Sequence, residues 1–390
     1  MTAPPPAPAD SLAAARERPA FAEMVESLPD PVLVVSALDA DDPADRRLVY
    51  ANAAARELLR IQSEGAPLVS HIRNPRVLEA VDESLFGGQA GEAAWETGGA
   101  QDRFWRVSTR PLQTAPDGAR TALLVLRDET DARRNERMRA DFLANASHEL
   151  RTPLASLTGF IETLRGHARD DTVARERFLG VMAAQAARMA RLIDDLMSLS
   201  RIELNEHIAP EGRLDVVIAV LDVIDALAPL AQERGVRLAS RLVERGVANI
   251  IGDRDQILQV AQNLIDNAAK YSPPGGVVEI EVIAGLTADA AIAPVRPGAA
   301  RLSLLSPDLV GGERFVALRV TDHGPGIARE HLPRLSERFY RVEGQKSGER
   351  LGTGLGLAIV KHIINRHRGG LAIESLEGQG TTFTAYLPQL

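Results

Sequence analysis

Apolar residues recur at Leu143, Ala146, Leu150, Leu154, Leu157, Ile161 and Leu164, in steps of three or four that draw one stripe along an α-helix. At about 100° per residue His148 falls roughly 200° from Leu150, on the polar side with Ala144, Asn145, Glu149 and Thr152. Pro153 lies inside the pattern, removes one backbone donor and predicts a kink one turn beyond His148. A second run, Phe178, Met182, Gln185, Met189, Leu192, Leu196 and Leu199, alternates steps of four and three, which is a heptad seam. Two antiparallel helices with such stripes cannot cover both faces alone, so residues 135–206 predict a helical hairpin that pairs with a second copy in a four-helix bundle. From Asp128 to Arg139 Arg and Glu interleave without a breaker, which extends the histidine helix backwards as one continuous signalling helix.

On either side of the hairpin the period changes. Residues 21–128 read as a small α+β module: strands VLVV (32–35) and RLVYAN (47–52), helices AAARELLR and PRVLEAVDESLFG, then strands FWRVSTRPL and ARTALLVLRDET joined through a turn at Pro116, Asp117 and Gly118. From about Leu214 helix and strand mix: a helix to Arg234, strands VRLAS and ANIIG, a helix from Asp253 to Tyr271, strands VVEIEV and FVALRVTD, a helix from Leu355 to His367, and closing strands LAIES and TTFTAYLP. Nearly thirty residues, 285–313, separate VVEIEV from FVALRVTD; RLSLLS inside them is either an extra strand or part of an ordered flap.

Composition narrows the function classes. The 390 residues are 45% hydrophobic and 25% charged with net charge −8, and no basic stripe argues for nucleic-acid binding. The absence of cysteine removes thiol catalysis, disulfides, cysteine-ligated zinc and thiol redox sensing. No window holds the ~20 apolar residues of a membrane span; the best, Leu214 to Leu230, is broken by Asp215, Asp222 and Asp225. The first 20 residues lack the features of a signal peptide and read as a disordered tail rich in Pro and Ala, so the expected location is cytoplasmic. Only Lys270, Lys346 and Lys361 are lysines, all in the last third, which marks them as positions where a compact ammonium matters or as chance in a small sample.

Four stretches of the last module carry chemistry. NLIDNAAKYS places Asn263 and Asn267 at i and i+4 on one helix face, so two neutral carbonyl oxygens can address one Mg²⁺ or its waters. DHGPGI ends a strand with Asp322, an acceptor for an exocyclic amine, followed by glycines that let backbone approach a flat ring. RLSERFYRVE brings Phe339, Tyr340 and Arg341 into a loop of Gly, Lys and Ser. GTGLGLAIVK is a glycine loop opening a helix, whose free N–H groups make an anion site. A dinucleotide fold, with Glu374 on a ribose, is the rival reading; the Gly352-x-Gly354-x-Gly356 spacing and the polar loop before it count against that.

SHELRTPL around His148, followed in order by these four stretches, resembles the sensor histidine kinases of two-component systems: the HisKA phospho-acceptor box, then the N, G1, F and G2 boxes of the HATPase_c/GHKL ATP domain. The resemblance covers roughly 137–390; the layout of 21–128 resembles a PAS sensor domain, and the whole is most similar to the phosphate-regulon (PhoR-type) members. It implies a multidomain protein: an α+β PAS domain (21–128), an antiparallel helical hairpin forming a dimeric four-helix bundle (129–206), and an α/β-sandwich (Bergerat/GHKL) ATP-binding domain (207–390) with an atypical insertion at 285–313 and an ATP lid at 328–351.

By resemblance His148 accepts the γ-phosphoryl of ATP, Glu149 takes its proton, and Glu149 with Thr152 matches an E-x-x-T pattern for dephosphorylating a partner. Asn267, supported by Asn263, holds Mg²⁺; Lys270 and Tyr271 flank the nucleotide; Asp322 reads the adenine amine, with Gly324, Gly326 and Ile327 shaping the base pocket. Phe339 and Arg341 belong to the F box, Arg341 reaching for the γ-phosphate, and Gly352, Thr353, Gly354, Leu355 and Gly356 form the phosphate loop. The implied cofactors are ATP and Mg²⁺. The implied partners are a response-regulator receiver domain, a second copy of the chain and a membrane complex reached through the PAS domain, with no direct nucleic acid. Two other readings are a catalytically degenerate ATP-binding scaffold and a GHKL ATPase without a phosphohistidine; the latter leaves SHELRTPL unexplained. His71 is read as an ordinary loop or helix histidine rather than a haem ligand.

Overall fold

A computed structural model describes residues 23–390 except 43–44, 64, 98–101, 115–117, 167–168, 170, 308–310 and 343–351. The N-terminal tail, two residues of the Pro116–Gly118 turn, Lys346 and the distal part of the expected lid therefore lie outside the described residues. The chain divides into two compact units, 1–143 and 144–390.

In the first unit β1 (Val32–Ala37), β2 (Arg47–Ala51), β3 (Gly91–Thr97), β4 (Arg103–Pro111) and β5 (Arg120–Asp128) form an antiparallel sheet in the order β2-β1-β5-β4-β3. Every strand expected here is present, and β3, GEAAWET, is an additional one. Helices α1 (Ala53–Leu59) and α2 (Pro75–Asp82) connect β2 to β3. The period-two face of β4 buries Trp105, Val107 and Thr109, and a packed core joins Leu33, Val35, Leu48, Leu68, Ile72, Val77, Val81, Leu124 and Leu126. Asn52 pins the entry to α1: fully buried, its Oδ1 accepts from Val32 N and Ala55 N, and its Nδ2 donates to the carbonyls of Val25, Leu28 and Asp30. The ring of His71 lies 3.2 Å from the Leu59 carbonyl, an ordinary structural bond.

The helix through His148, α3 (Thr130–Arg165), is a single element of 36 residues with Pro153 inside it, so the continuous extension back from the histidine is present. Asp171 caps its successor α4 (Thr172–Leu204) by accepting from Val173 N and Ala174 N. The predicted seam of α4 buries Leu192 and Leu199. Much of the α3 stripe, by contrast, is open: Leu143, Leu154 and Ile161 are 65%, 54% and 45% exposed, and on α4 Leu179, Ile193 and Met197 are exposed as well.

The rest of the second unit is an α/β sandwich. β7 (Arg237–Leu242), β9 (Val277–Leu286), β10 (Ala300–Leu305), β11 (Phe315–Thr321), β12 (Gly370–Leu376) and β13 (Gly380–Pro388) build a six-stranded sheet in the order β10-β12-β13-β11-β9-β7, antiparallel except for β7 with β9. β6 (Arg213–Asp215) and β8 (Asn249–Ile251) form a separate pair. Helices α5 (Val216–Glu233), α6 (Arg254–Tyr271) and α8 (Gly356–Arg366) supply the helical layer, α6 burying Ile257, Val260, Leu264 and Ile265 and α8 burying Ile359, Val360, Ile363 and Ile364. RLSLL in the insertion is the extra strand β10, preceded by a short helix, α7 (Ala288–Ala291). No helix among the described residues is long and apolar enough to cross a membrane.

Candidate active site

His148 is exposed on α3, and its imidazole has no hydrogen-bond partner among the described residues. That leaves both ring nitrogens to solvent or an incoming electrophile. Its neighbour Glu149 is engaged: one carboxylate oxygen, Oε2, accepts from Arg188 of α4 and from Arg341, each at 3.0 Å. Thr152 donates back to the His148 carbonyl at 3.3 Å, the usual turn-to-turn bond of a helical threonine.

The nucleotide-type elements converge around the start of α8. Asn263 and Asn267 are half-buried on α6, and among the described residues neither side-chain amide has a hydrogen-bond partner. A Cβ on Gly356 would stand 3.0 Å from Asn263 Oδ1, and one on Gly352 would stand 2.9 Å from Lys270 Nζ, so the polar ends of these α6 side chains lie directly against the glycine loop. Burial lowers the Lys270 pKa, with Asp266 opposing and Arg341, Arg234 and Arg188 adding to the drop. Several cations thus face one region, which suits a polyphosphate chain. Two neutral, unengaged amide oxygens beside that region fit Mg²⁺, which takes oxygen ligands and lets phosphates supply the charge. Tyr271 lies under the Lys270 ammonium, 4.9 Å from ring centre to nitrogen, and is 41% exposed.

Asp322 is 6% exposed. Its Oδ1 accepts from Gly324 N at 2.8 Å and Thr381 N at 3.2 Å, while Oδ2 takes no hydrogen bond among the described residues. Burial pushes its pKa up against those two bonds and the nearby Arg296 and His323. The glycines beside it are required by contact: a Cβ on Gly324 would fall 2.5 Å from the Tyr271 carbonyl oxygen, and one on Gly326, at φ 69°, would fall 2.2 Å from that of Leu376. Ile327 N donates to Ser375 Oγ, fixing the turn.

Phe339, at φ 65°, donates its N–H to the Gly354 carbonyl at 2.9 Å, and Gly354 at φ 76° has no room for a Cβ against Phe339. The F segment and the glycine loop are thereby one packed body. Leu355 is fully buried, and Thr353 Oγ1 donates to Asp195 Oδ2 of α4 at 2.6 Å. Burial raises the pKa of Asp195, with the like charge of Asp194 adding and the Thr353 bond opposing.

The structure thus brings Glu149, Arg341, Thr353 and Lys270 into one neighbourhood, and it adds residues that no motif singles out. Arg188 shares the Glu149 carboxylate with Arg341, and Asp195 holds Thr353, as described. Further along α4, Glu203 pairs with Arg338 at 2.6 Å, and just past its end Glu206 meets His362 Nδ1 at 3.1 Å and Asn365 Nδ2 at 2.6 Å, both on α8. Arg188 and Asp195 flank the seam of α4 and Glu203 falls in line with it, single charges that no motif sets apart from other helix charges. Lys361 lies on α8. Glu374 holds backbone N–H groups of the insertion, which leaves no role for it on a ribose.

Comparison with known proteins gives three family matches in chain order: a PAS domain over 21–91, a His Kinase A (phospho-acceptor) domain over 138–205, and a histidine kinase-, DNA gyrase B- and HSP90-like ATPase over 252–390. The chain is 32% identical over 346 residues to the phosphate regulon sensor protein PhoR of Pseudomonas aeruginosa, covering 88% of this chain and 70% of that protein. It is 32% identical to the sensor histidine kinase WalK of Bacillus subtilis over 68% of this chain and 39% of that one. With the sensor protein SrrB of Staphylococcus aureus it shares 30% identity over 74% of this chain, and it spans 44% of that relative's length.

Proposed function

The chain belongs to the sensor histidine kinases of two-component systems, an ATP-binding family, and from that premise we propose that it phosphorylates His148 with ATP and passes the phosphoryl group to an aspartate of a response regulator. The observation that carries this is the Glu149 contact: the carboxylate next to the exposed histidine is bonded to Arg341, which belongs to the same packed body as the glycine loop. A nucleotide held by that loop would have its terminal phosphate delivered toward α3.

The roles follow from the chemistry of each group. His148 attacks through a ring nitrogen, forming a P–N bond as the bond from the γ-phosphorus to the bridging oxygen of ADP breaks; Glu149 takes the proton from the other nitrogen. Asp322 orients the base through its free Oδ2, and Lys270, Arg341 and the N–H groups of residues 352–356 neutralise phosphate charge. Asn267, with Asn263, would hold Mg²⁺, which supplies charge neutralisation on the phosphates when bound. The response regulator receiver domain, a second copy through the hairpin, a phosphatase activity using Glu149 and Thr152, a phosphate-starvation signal and a membrane-complex partner of the PAS domain complete the reading. Support for the second copy comes from the open apolar rows of α3 and α4.

The test is incubation of the full chain with Mg²⁺ and γ-labelled ATP, with His148→Gln and Asn267→Ala alongside. The expected result is label that is lost in acid and absent from both variants. Label persisting in His148→Gln, or none on a folded, ATP-binding wild type, would overturn the proposal.

A further inference from the structure

The insertion between β9 and β11 is built into the ATP domain on two sides. Its helix α7 sets Ala291 against Phe315, Ala317 and Tyr386, covering the sheet face opposite Val316, Leu318 and Val320, and β10 pairs along β12. The chain between them is held by Glu374, a residue 6% exposed whose carboxylate accepts from Val295 N at 2.9 Å and Arg296 N at 2.6 Å. From that anchored backbone the Arg296 guanidinium reaches the nucleotide side: Nη2 donates to the Asp322 carbonyl at 2.7 Å and Nη1 to the Gln379 carbonyl. These carbonyls belong to the two segments that meet at Asp322, since Asp322 N donates to Thr381 O and Asp322 Oδ1 accepts from Thr381 N.

We propose that Arg296 is a positioning residue for nucleotide recognition. By bridging the carbonyls of Asp322 and Gln379 it fixes the peptide that follows Asp322, so that the unpaired Oδ2 keeps the direction needed to accept from a 6-amino group on a purine. The insertion is then a brace for the base pocket, and Glu374 is the residue that seats the brace. A guanidinium suits the task because its planar fork spans two acceptors at once, which a single ammonium does less well. The inference rests on the assignment of Asp322 to the base amine.

The experiment measures binding of Mg·ATP and of purine riboside triphosphate, which lacks the 6-amino group, to the full chain and to Arg296→Met, Arg296→Lys and Asp322→Ala. Met keeps the packed stem and removes the donors. For Arg296→Met the dissociation constant for ATP is expected to rise about tenfold, the size of one charged hydrogen bond, with less than a twofold change for the analogue, and Lys is expected to recover part of the loss. Equal weakening of both nucleotides in Arg296→Met would mean a merely structural role and would overturn the proposal, as would unchanged ATP binding. If Asp322→Ala leaves the preference for ATP over the analogue intact, the base-reading assignment itself fails, whatever Arg296 does.

Discussion

In the structure, Arg341 and Thr353, both expected on the phosphates, are bonded instead to Glu149 and Asp195 of the hairpin, and Glu149, the expected proton acceptor, is held by two arginines. Phosphoryl transfer requires these bonds to yield. Weakening the docking of the ATP domain on α4 away from the nucleotide should therefore speed the reaction, and Glu206 is the place to do it. Its carboxylate holds His362 and Asn365, and its side chain is 28% exposed beside a His362 that is 24% exposed. A fully buried charged hydrogen bond is worth ~1.5–3 kcal/mol, and screening at this exposure brings the Glu206 contacts to about 1 kcal/mol. That moves the docked-to-undocked ratio about fivefold in Glu206→Ala. Quenched time courses of His148 labelling at saturating Mg·ATP should show an initial rate up to about fivefold higher, with KM for ATP within about twofold of wild type. Glu206→Gln, which retains an acceptor, should fall between. A rate that drops about fivefold in Glu206→Ala would refute the reasoning, because the docked arrangement would then be the productive one.

Four further outcomes follow from the same structure. Because burial raises the Asp322 pKa, ATP affinity should fall as pH drops through a value above the ordinary carboxylate range, the protonated group having lost its free acceptor; titration calorimetry across pH should show this limb vanish in Asp322→Asn. The stability sign is opposite: the fold disfavours the charged form, so the free protein loses stability as pH rises from the ordinary carboxylate value through the raised one, and Asp322→Asn should not lower the melting temperature at neutral pH. Gly326→Ala places a Cβ 2.2 Å from a backbone oxygen at positive φ and should cost about 3 kcal/mol in urea unfolding of the ATP domain; a loss under 1 kcal/mol would contradict the contact. Asn52→Ala removes a helix cap, strands the buried Val32 N–H and leaves the part-buried carbonyls of Val25, Leu28 and Asp30 without their donor, for a loss of about 3 kcal/mol in the N-terminal unit with the ATP affinity unchanged.

Helices and strands were legible wherever burial imposed a period. The four-and-three seam of α4 ends in fully buried Leu199, and β11 and β13, buried almost throughout, lie inside the sheet. Strand β3 is weakly marked because five of the seven residues of GEAAWET are Gly, Glu or Ala, of low strand propensity; Gly91, Ala93 and Trp95 form its inner face, and register with β4 decides it. The stripe on α3 was read correctly as apolar, yet 65% exposure at Leu143 and 54% at Leu154 show that periodicity reports what a face needs rather than what covers it.

The site divides along a similar line. Glycines whose absent Cβ leaves room for another backbone, as at 324, 326 and 354, leave a mark in sequence because no other residue fits, and the clustered boxes could be located from them. Side chains that act across long loops leave none. Arg188 and Arg341 converge on Glu149 from 39 and 192 positions away, and Glu374 reaches 78 positions back to seat Arg296. Before the sheet is assembled, an arginine in a 29-residue insertion and a glutamate in a strand are two ordinary charges. Once β10 pairs with β12, register places Arg301 opposite Glu374, and the chain leading into β10 must pass that same carboxylate. Topology thereby turns an insertion with no motif of its own into a neighbour of Asp322, so a functional role for Arg296 can only be argued from the folded molecule.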